Sequence, residues 1–151
     1  MKRVMARRGL LLVLLASPAV AFAQRVEQID RPRYDEAVAV AKAWLDAVDA
    51  GDAERAYAQL APQFQLAVPA ARFTAEMDKT RLKLGKRLSR NLRRVVWQDI
   101  PEGSSMSGLY AVIEVDSVYE HADKHFQFVV LYSPDAGPFK VLRNQATFTS
   151  K

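Results

Sequence analysis

Midway along this chain the spacing of apolar residues changes period. Between residues 34 and 84 they recur every three to four positions, and from 88 to 148 they alternate every second position. Helical texture followed by consecutive strands argues for an α+β fold. About three N-terminal helices are expected to pack on one face of a curled, four-stranded antiparallel sheet. The first helix is expected over 34–50, where Ala37, Ala41, Trp44 and Val48 form the apolar stripe and Val38 and Leu45 widen it. Gly51 is placed to end it in a left-handed conformation, and Asp52 to cap a second helix carrying Ala56, Tyr57 and Leu60. Pro62 stops that helix. Phe64, Leu66 and Val68 belong to a short helical or irregular piece, and Pro69 opens a third helix with Phe73, Met77 and Leu84 on its apolar side. Strands are expected near 88–98, 109–119, 125–132 and 139–148, joined by loops rich in proline, glycine and serine.

The first hairpin can be registered from its loop. A loop centred near residue 104 sets residues whose numbers sum to about 208 opposite each other. Trp97 then faces Ala111, Val95 faces Ile113, Arg94 faces Glu114, and Leu92 faces Asp116. Leu109, Ala111, Ile113 and Val115 form the side turned to the helices, and Glu114 and Asp116 are expected on the wet side. One bulge in the first strand would shift this pairing.

The N-terminus reads as an export signal. Lys2, Arg3, Arg7 and Arg8 precede a leucine-rich run, Pro18 breaks it, and Ala21-Phe22-Ala23 supplies the small residues a signal peptidase needs. Cleavage is expected after Ala23, leaving a short polar leader over 24–33 and one domain over 34–151. The uncharged run 9–23 has 15 residues, short of the ~20 that span a bilayer, so no transmembrane span is expected after cleavage. The expected location is periplasmic or secreted. Cleavage removes four of the 22 Lys+Arg and none of the 17 Asp+Glu, lowering the net charge from +5 to +1. A nucleic-acid partner therefore loses its electrostatic basis. With no cysteine, the mature domain has no disulfide and rests on its apolar core alone.

The order of several short motifs resembles a bacterial exported family, domain of unknown function 4019. They are Ala43-Trp44-Leu45, Val48-Asp49-Ala50-Gly51-Asp52, Pro62-Gln63-Phe64, Ala67-Val68, Leu84-Gly85, Ser89-Arg90 with Leu92, and the strand from Tyr110 to Asp116. The resemblance spans nearly all of 37–146. It implies a nuclear-transport-factor-two-like (ketosteroid-isomerase-like, cystatin-like) cone and no established reaction. Tyr57 and Phe73 stand where the family pattern has tryptophan. Arg143 and Gln145 stand where it has smaller or aromatic residues.

Four groups of residues qualify as candidate sites. Eight cations lie in the 16 residues from Lys79 to Arg94 with no acid among them. Read as a site, Lys83, Lys86, Arg87, Arg90 and Arg94 form a docking face for an anionic envelope component or protein. Read as surface, they are a solvated helix end plus cross-strand pairs with Glu114 and Asp116. Trp44, Tyr57, Phe73 and Trp97 either line a ligand cavity between helices and sheet or simply fill the core. Glu114 and Asp116 share one side of a strand, which is compatible with acid–base work only if that side is enclosed. His121 and His125, the two histidines, flank a strand turn and are expected in solvent, without a metal between them. No catalytic set, phosphate loop or cofactor motif is present. The leading expectation is a non-catalytic binding or interaction module. A small-ligand pocket protein and an isomerase-like enzyme on the same fold stand as alternatives, and pairing of two copies through the outer sheet face is left open.

Overall fold

A computed structural model describes residues 29–100, 102–103 and 105–150; the expected signal and most of the leader lie outside them. Helix α1 (Arg31–Ala50) starts three residues before the expected position. The Asp30 carboxylate accepts from the Arg33 backbone N–H at 2.9 Å, and Pro32 sits in the first turn, where its missing N–H has no helical partner to lose. The Arg31-Pro32-Arg33 segment is therefore helix rather than leader. Arg33 then reaches the far end of the sheet, donating to the Ser133 hydroxyl at 2.8 Å and lying 4.2 Å from the Phe139 ring centre. The buried stripe holds Ala37, Ala41, Trp44, Leu45 and Ala47, so small residues bring the helix close to the sheet.

Gly51 ends α1 at φ +77°, as its position predicts, and the Asp52 carboxylate caps α2 (Ala53–Ala58). The segment after Pro62 is a helix of its own, α3 (Pro62–Ala67), which makes four helices rather than three; α4 (Ala70–Leu84) follows. Gly85 leaves α4 at φ +74°, and a Cβ there would sit 2.8 Å from Glu120 Oε2. Glycine is required at this junction by conformation and by space together.

Strands β1 (Arg87–Ile100), β2 (Gly108–Tyr119), β3 (Ala122–Ser133) and β4 (Lys140–Ser150) form one antiparallel meander in chain order. Trp97 pairs with Ala111, Val95 with Ile113 and Arg94 with Glu114, as the loop position predicts. Leu92, however, faces Val115 and not Asp116, because Arg93 is an extra residue bulged out of the ladder. Every β1 residue from Leu92 back to Arg90 thereby changes face. Leu92 joins the helix side, and Arg90, which an unbroken ladder would send outward, turns inward opposite Ser117.

Ala111, Ile113, Val115, Val129, Leu131 and Val141 meet α1 in the main core. The opposite face of the sheet carries a second aromatic set, with Tyr110 on Tyr132 at 4.9 Å and Phe126 on Phe128 at 4.6 Å. Glu114 lies on that outer face, as expected. It is not wet: only 6% of it is exposed, beside Phe128 and the Arg94 guanidinium, whose hydrogen bond at 2.8 Å holds its carboxyl below the usual range. Asp116, half-exposed, pairs with Arg93 at 3.3 Å.

Candidate functional site

Where α1 and α4 diverge above the inner sheet face they leave a half-open cavity of about 200 Å³. Its apolar wall is made by Trp44 from α1, Phe64 from α3, and Phe73, Met77 and Leu84 from α4. Its polar lining includes Asp49, Glu76 and Arg81 from the helices, and Arg87, Arg90, Tyr119, His125 and Gln127 from the sheet. Strand parity explains the last two. Along β3, His125 and Gln127 share a face with Val129 and Leu131, while Phe126 and Phe128 point to the outer face.

Asp49, at the end of α1, organises the polar wall. Its Oδ1 accepts from the Tyr119 hydroxyl at 3.1 Å. Its Oδ2 lies 2.8 Å from Arg90 Nη1 and 3.2 Å from Arg87 Nε. Arg90 also donates to the Tyr119 hydroxyl at 3.1 Å and to the Ser117 hydroxyl at 3.2 Å. Asp46, one turn earlier and more open, sits 3.4 Å from Arg87 and 3.7 Å from Arg90. Two guanidinium groups thus face two carboxylates, and the innermost pair is nearly enclosed, with side chains 10% and 16% exposed. Burial and the Asp49 carboxylate push the Tyr119 hydroxyl above its ordinary pKa, so it stays protonated.

Three residues that line the cavity also carry a buried polar atom without a hydrogen-bond partner in the protein: Trp44 Nε1, His125 Nδ1 and Gln127 Oε1. These residues are 2%, 4% and 5% exposed. An orphaned buried polar atom costs about 1–3 kcal/mol, and native proteins keep few of them.

The structure relocates several residues singled out in the sequence. Trp44 and Phe73 line the cavity. Tyr57 does not; it packs on Phe73 at 5.6 Å and donates to the Val68 carbonyl at 3.0 Å. Trp97 lies at the other end of the sheet against Phe139 at 6.0 Å. The five cations do not share a face. Arg87 and Arg90 point toward α1 and are paired there, Arg94 is on the outer face with Glu114, and Lys83 lies 4.7 Å from the Phe148 ring centre. Lys86 is exposed. The bulge at Arg93 separates Arg90 from Arg94.

The expectation that both histidines are in solvent is half corrected. His121 is exposed, but His125 is enclosed between the rings of Tyr119, at 5.1 Å, and Phe148, at 6.0 Å. β3 begins at Ala122, three residues earlier than the sequence suggested, and that draws His125 off the turn and into the inner face. Among the described residues no cluster of three or more metal-ligating side chains occurs.

Burial, and then the Arg90 charge, lower the His125 pKa, with Asp49 opposing. The folded state therefore binds less proton at His125 than the unfolded chain, whose histidine titrates near ~6.5. Stability should be level above about pH 6.5 and decline as pH falls below it, by at most about 1.4 kcal/mol per pH unit from this one group. Urea midpoints at about pH 7.5 and 5.5 measure it. His125→Phe should flatten that interval, because carboxylates such as Glu114 release stability only near and below ~4.3. An unchanged slope in the variant would remove His125 from the account.

The profile of the family described as "Protein of unknown function (DUF4019)" matches residues 40–143. The chain belongs to this family. Among solved structures, this DUF4019 chain is similar to ActVI-ORFA from Streptomyces coelicolor, with 12% identity and a TM-score of 0.50 over 80% of this chain and 97% of that one. A scytalone dehydratase-like protein from Novosphingobium aromaticivorans also matches, with 12% identity and a TM-score of 0.42 over 77% of this chain and 88% of that one. At such identity the likeness is one of fold: the DUF4019 chain has the nuclear-transport-factor-two-like cone of four helices on a curled four-stranded sheet. No curated protein matches it. Among the described residues no helix is long and apolar enough to cross a membrane.

Proposed function

We propose that this protein is exported to the cell envelope and there acts as a non-catalytic module that binds a small ligand in the cavity between α1, α4 and the sheet. One observation carries the binding reading: a half-open cavity of about 200 Å³ remains between the helices and the sheet, walled by Trp44, Phe64, Phe73 and Met77 on one side and by the ion-paired Asp49, Arg87 and Arg90 on the other. Binding is favoured over catalysis because the enclosed acid is already engaged. Asp49 accepts from Tyr119 through Oδ1 and is ion-paired with Arg87 and Arg90 through Oδ2, so it is committed to holding the wall together.

The export half of the proposal rests on the basic start, the leucine run and Ala21-Phe22-Ala23. Expression of the full chain in a bacterial host, followed by fractionation and mass measurement, should give an envelope species beginning at Gln24. A cytoplasmic product retaining residues 1–23 would overturn that half. For the cavity, the chain supplies its own control: it has two tryptophans, and only Trp44 lines the site. In proton–nitrogen NMR spectra, one-ring organic fragments should move the Trp44 indole signal and leave that of Trp97 in place. A fragment set that moves neither would end the binding reading.

A further inference from the structure

The basic run from Lys79 to Arg94 divides by residue type. Its five arginines all have carboxylates: Arg81 has Asp78 at 3.7 Å, Arg87 and Arg90 share Asp49, Arg93 has Asp116 and Arg94 has Glu114. Its three lysines, Lys79, Lys83 and Lys86, form no ion pair among the described residues, and all three are exposed. Lys79, Leu82 and Lys83 stand at helical spacing on α4 and so share one side of it. Lys86 follows just past the end of the helix. Leu82 is 83% exposed, and Leu88, 58% exposed, comes next in the irregular start of β1 between Arg87 and Ser89. Lys83 lies 4.7 Å from the Phe148 ring centre, which steadies its charge without cancelling it. Glu120 is the acid at this corner; it accepts from the Lys86 backbone N–H at 2.8 Å and offsets one of the three charges. A surplus of two positive charges remains, with two leucines in the midst of it.

An exposed leucine alone is ordinary. Leu66 is such a case, 86% exposed on α3, a helix with no charged residue. Leu82 differs in its company. A soluble anion would meet the lysines and leave the leucines in water, and a purely apolar partner would strand the lysines. A bilayer with anionic headgroups meets both, with phosphates at the level of the ammonium groups and the acyl boundary beneath for leucine and the lysine stems. Lysine, a compact charge on a flexible stem, suits a fluid array of headgroups; the fixed carboxylates of this protein are matched by arginine forks.

We infer that the corner between α4 and β1, formed by Lys79, Leu82, Lys83, Lys86 and Leu88, docks the protein on an anionic lipid surface. None of the five lines the ligand cavity. The inference takes from the export reading only that membrane surfaces are within reach.

Vesicle sedimentation of the protein purified from expression of the full chain tests it. Vesicles of equal parts phosphatidylglycerol and phosphatidylcholine should carry the protein down, and phosphatidylcholine alone should not. Each lysine near such a surface contributes about fivefold to affinity, and a leucine entering the acyl boundary about tenfold. Replacing Lys79, Lys83 and Lys86 together by glutamine should therefore weaken binding about a hundredfold, and Leu82→Ser about tenfold. Leu66→Ser is the control and should change nothing, since Leu66 precedes the other end of α4, about 18 Å along the axis from Leu82. These side chains are exposed, so native circular dichroism is expected of every variant. If Leu82→Ser binds as the parent does while the glutamine variant fails, the corner is a site for free anions and lipid docking is overturned. Tighter binding of polyglutamate than of the anionic vesicles would overturn it in favour of an acidic protein. No binding to the anionic vesicles, or binding that survives the glutamine variant, would remove the corner altogether. Those outcomes leave the cavity and the processing at Gln24 untouched, because indole signals and mass read them separately.

Discussion

Asp49→Ala should destabilise the domain by about 3–5 kcal/mol, the range for breaking an enclosed ion pair from one side. The size follows from what is left behind. Arg90, 10% exposed, would keep its charge with only the more distant Asp46 near it, at 3.7 Å. Arg87 would lose its 3.2 Å partner, and the Tyr119 hydroxyl its acceptor. For a domain of this length such a loss lowers Tm by roughly 10–20 °C. Asp46→Ala is the matched comparison. That side chain is 40% exposed and its contacts are longer, so less than about 1 kcal/mol is expected. Urea unfolding of both variants reads the difference directly. Equal, small effects would mean that water already reaches Arg90, and that the polar wall is not the closed network its distances describe.

The same residues show how far the chain was legible as sequence. The helix-then-strand order, the Gly51 stop and most of the β1–β2 register follow from spacing alone, because turn chemistry and alternation are local signals. The bulge at Arg93 is not local. Leu92-Arg93-Arg94 reads equally well with either parity, and only packing against Val115 decides it. That single extra residue moved Arg90 from an apparent basic surface into the cavity. It also concealed the partnership of Asp49 with Arg90, since a helix end and a strand 41 positions apart share no pattern. His125 was recoverable in principle, because its parity with Val129 and Leu131 was in view. Its closeness to the expected turn masked it. Tyr119 and Gln127 carried no signal beyond strand alternation, in which a polar residue on the inner face reads as noise until a cavity gives it a place.

Trp44 separates the effect of buried volume from that of a buried polar atom most sharply. Trp44→Ala should cost about 3–5 kcal/mol, since the ring is 2% exposed and belongs to the main core cluster, where its removal opens a void. Trp44→Phe keeps much of the ring and deletes the indole N–H, the atom that has no partner. Losing volume destabilises, but losing an orphaned donor relieves a penalty of about 1–3 kcal/mol. The two effects oppose each other, and the net cost should stay below about 1.5 kcal/mol. Urea unfolding of the two variants reads the difference. A phenylalanine variant as unstable as the alanine one would make the indole N–H a structural element with a partner inside the protein.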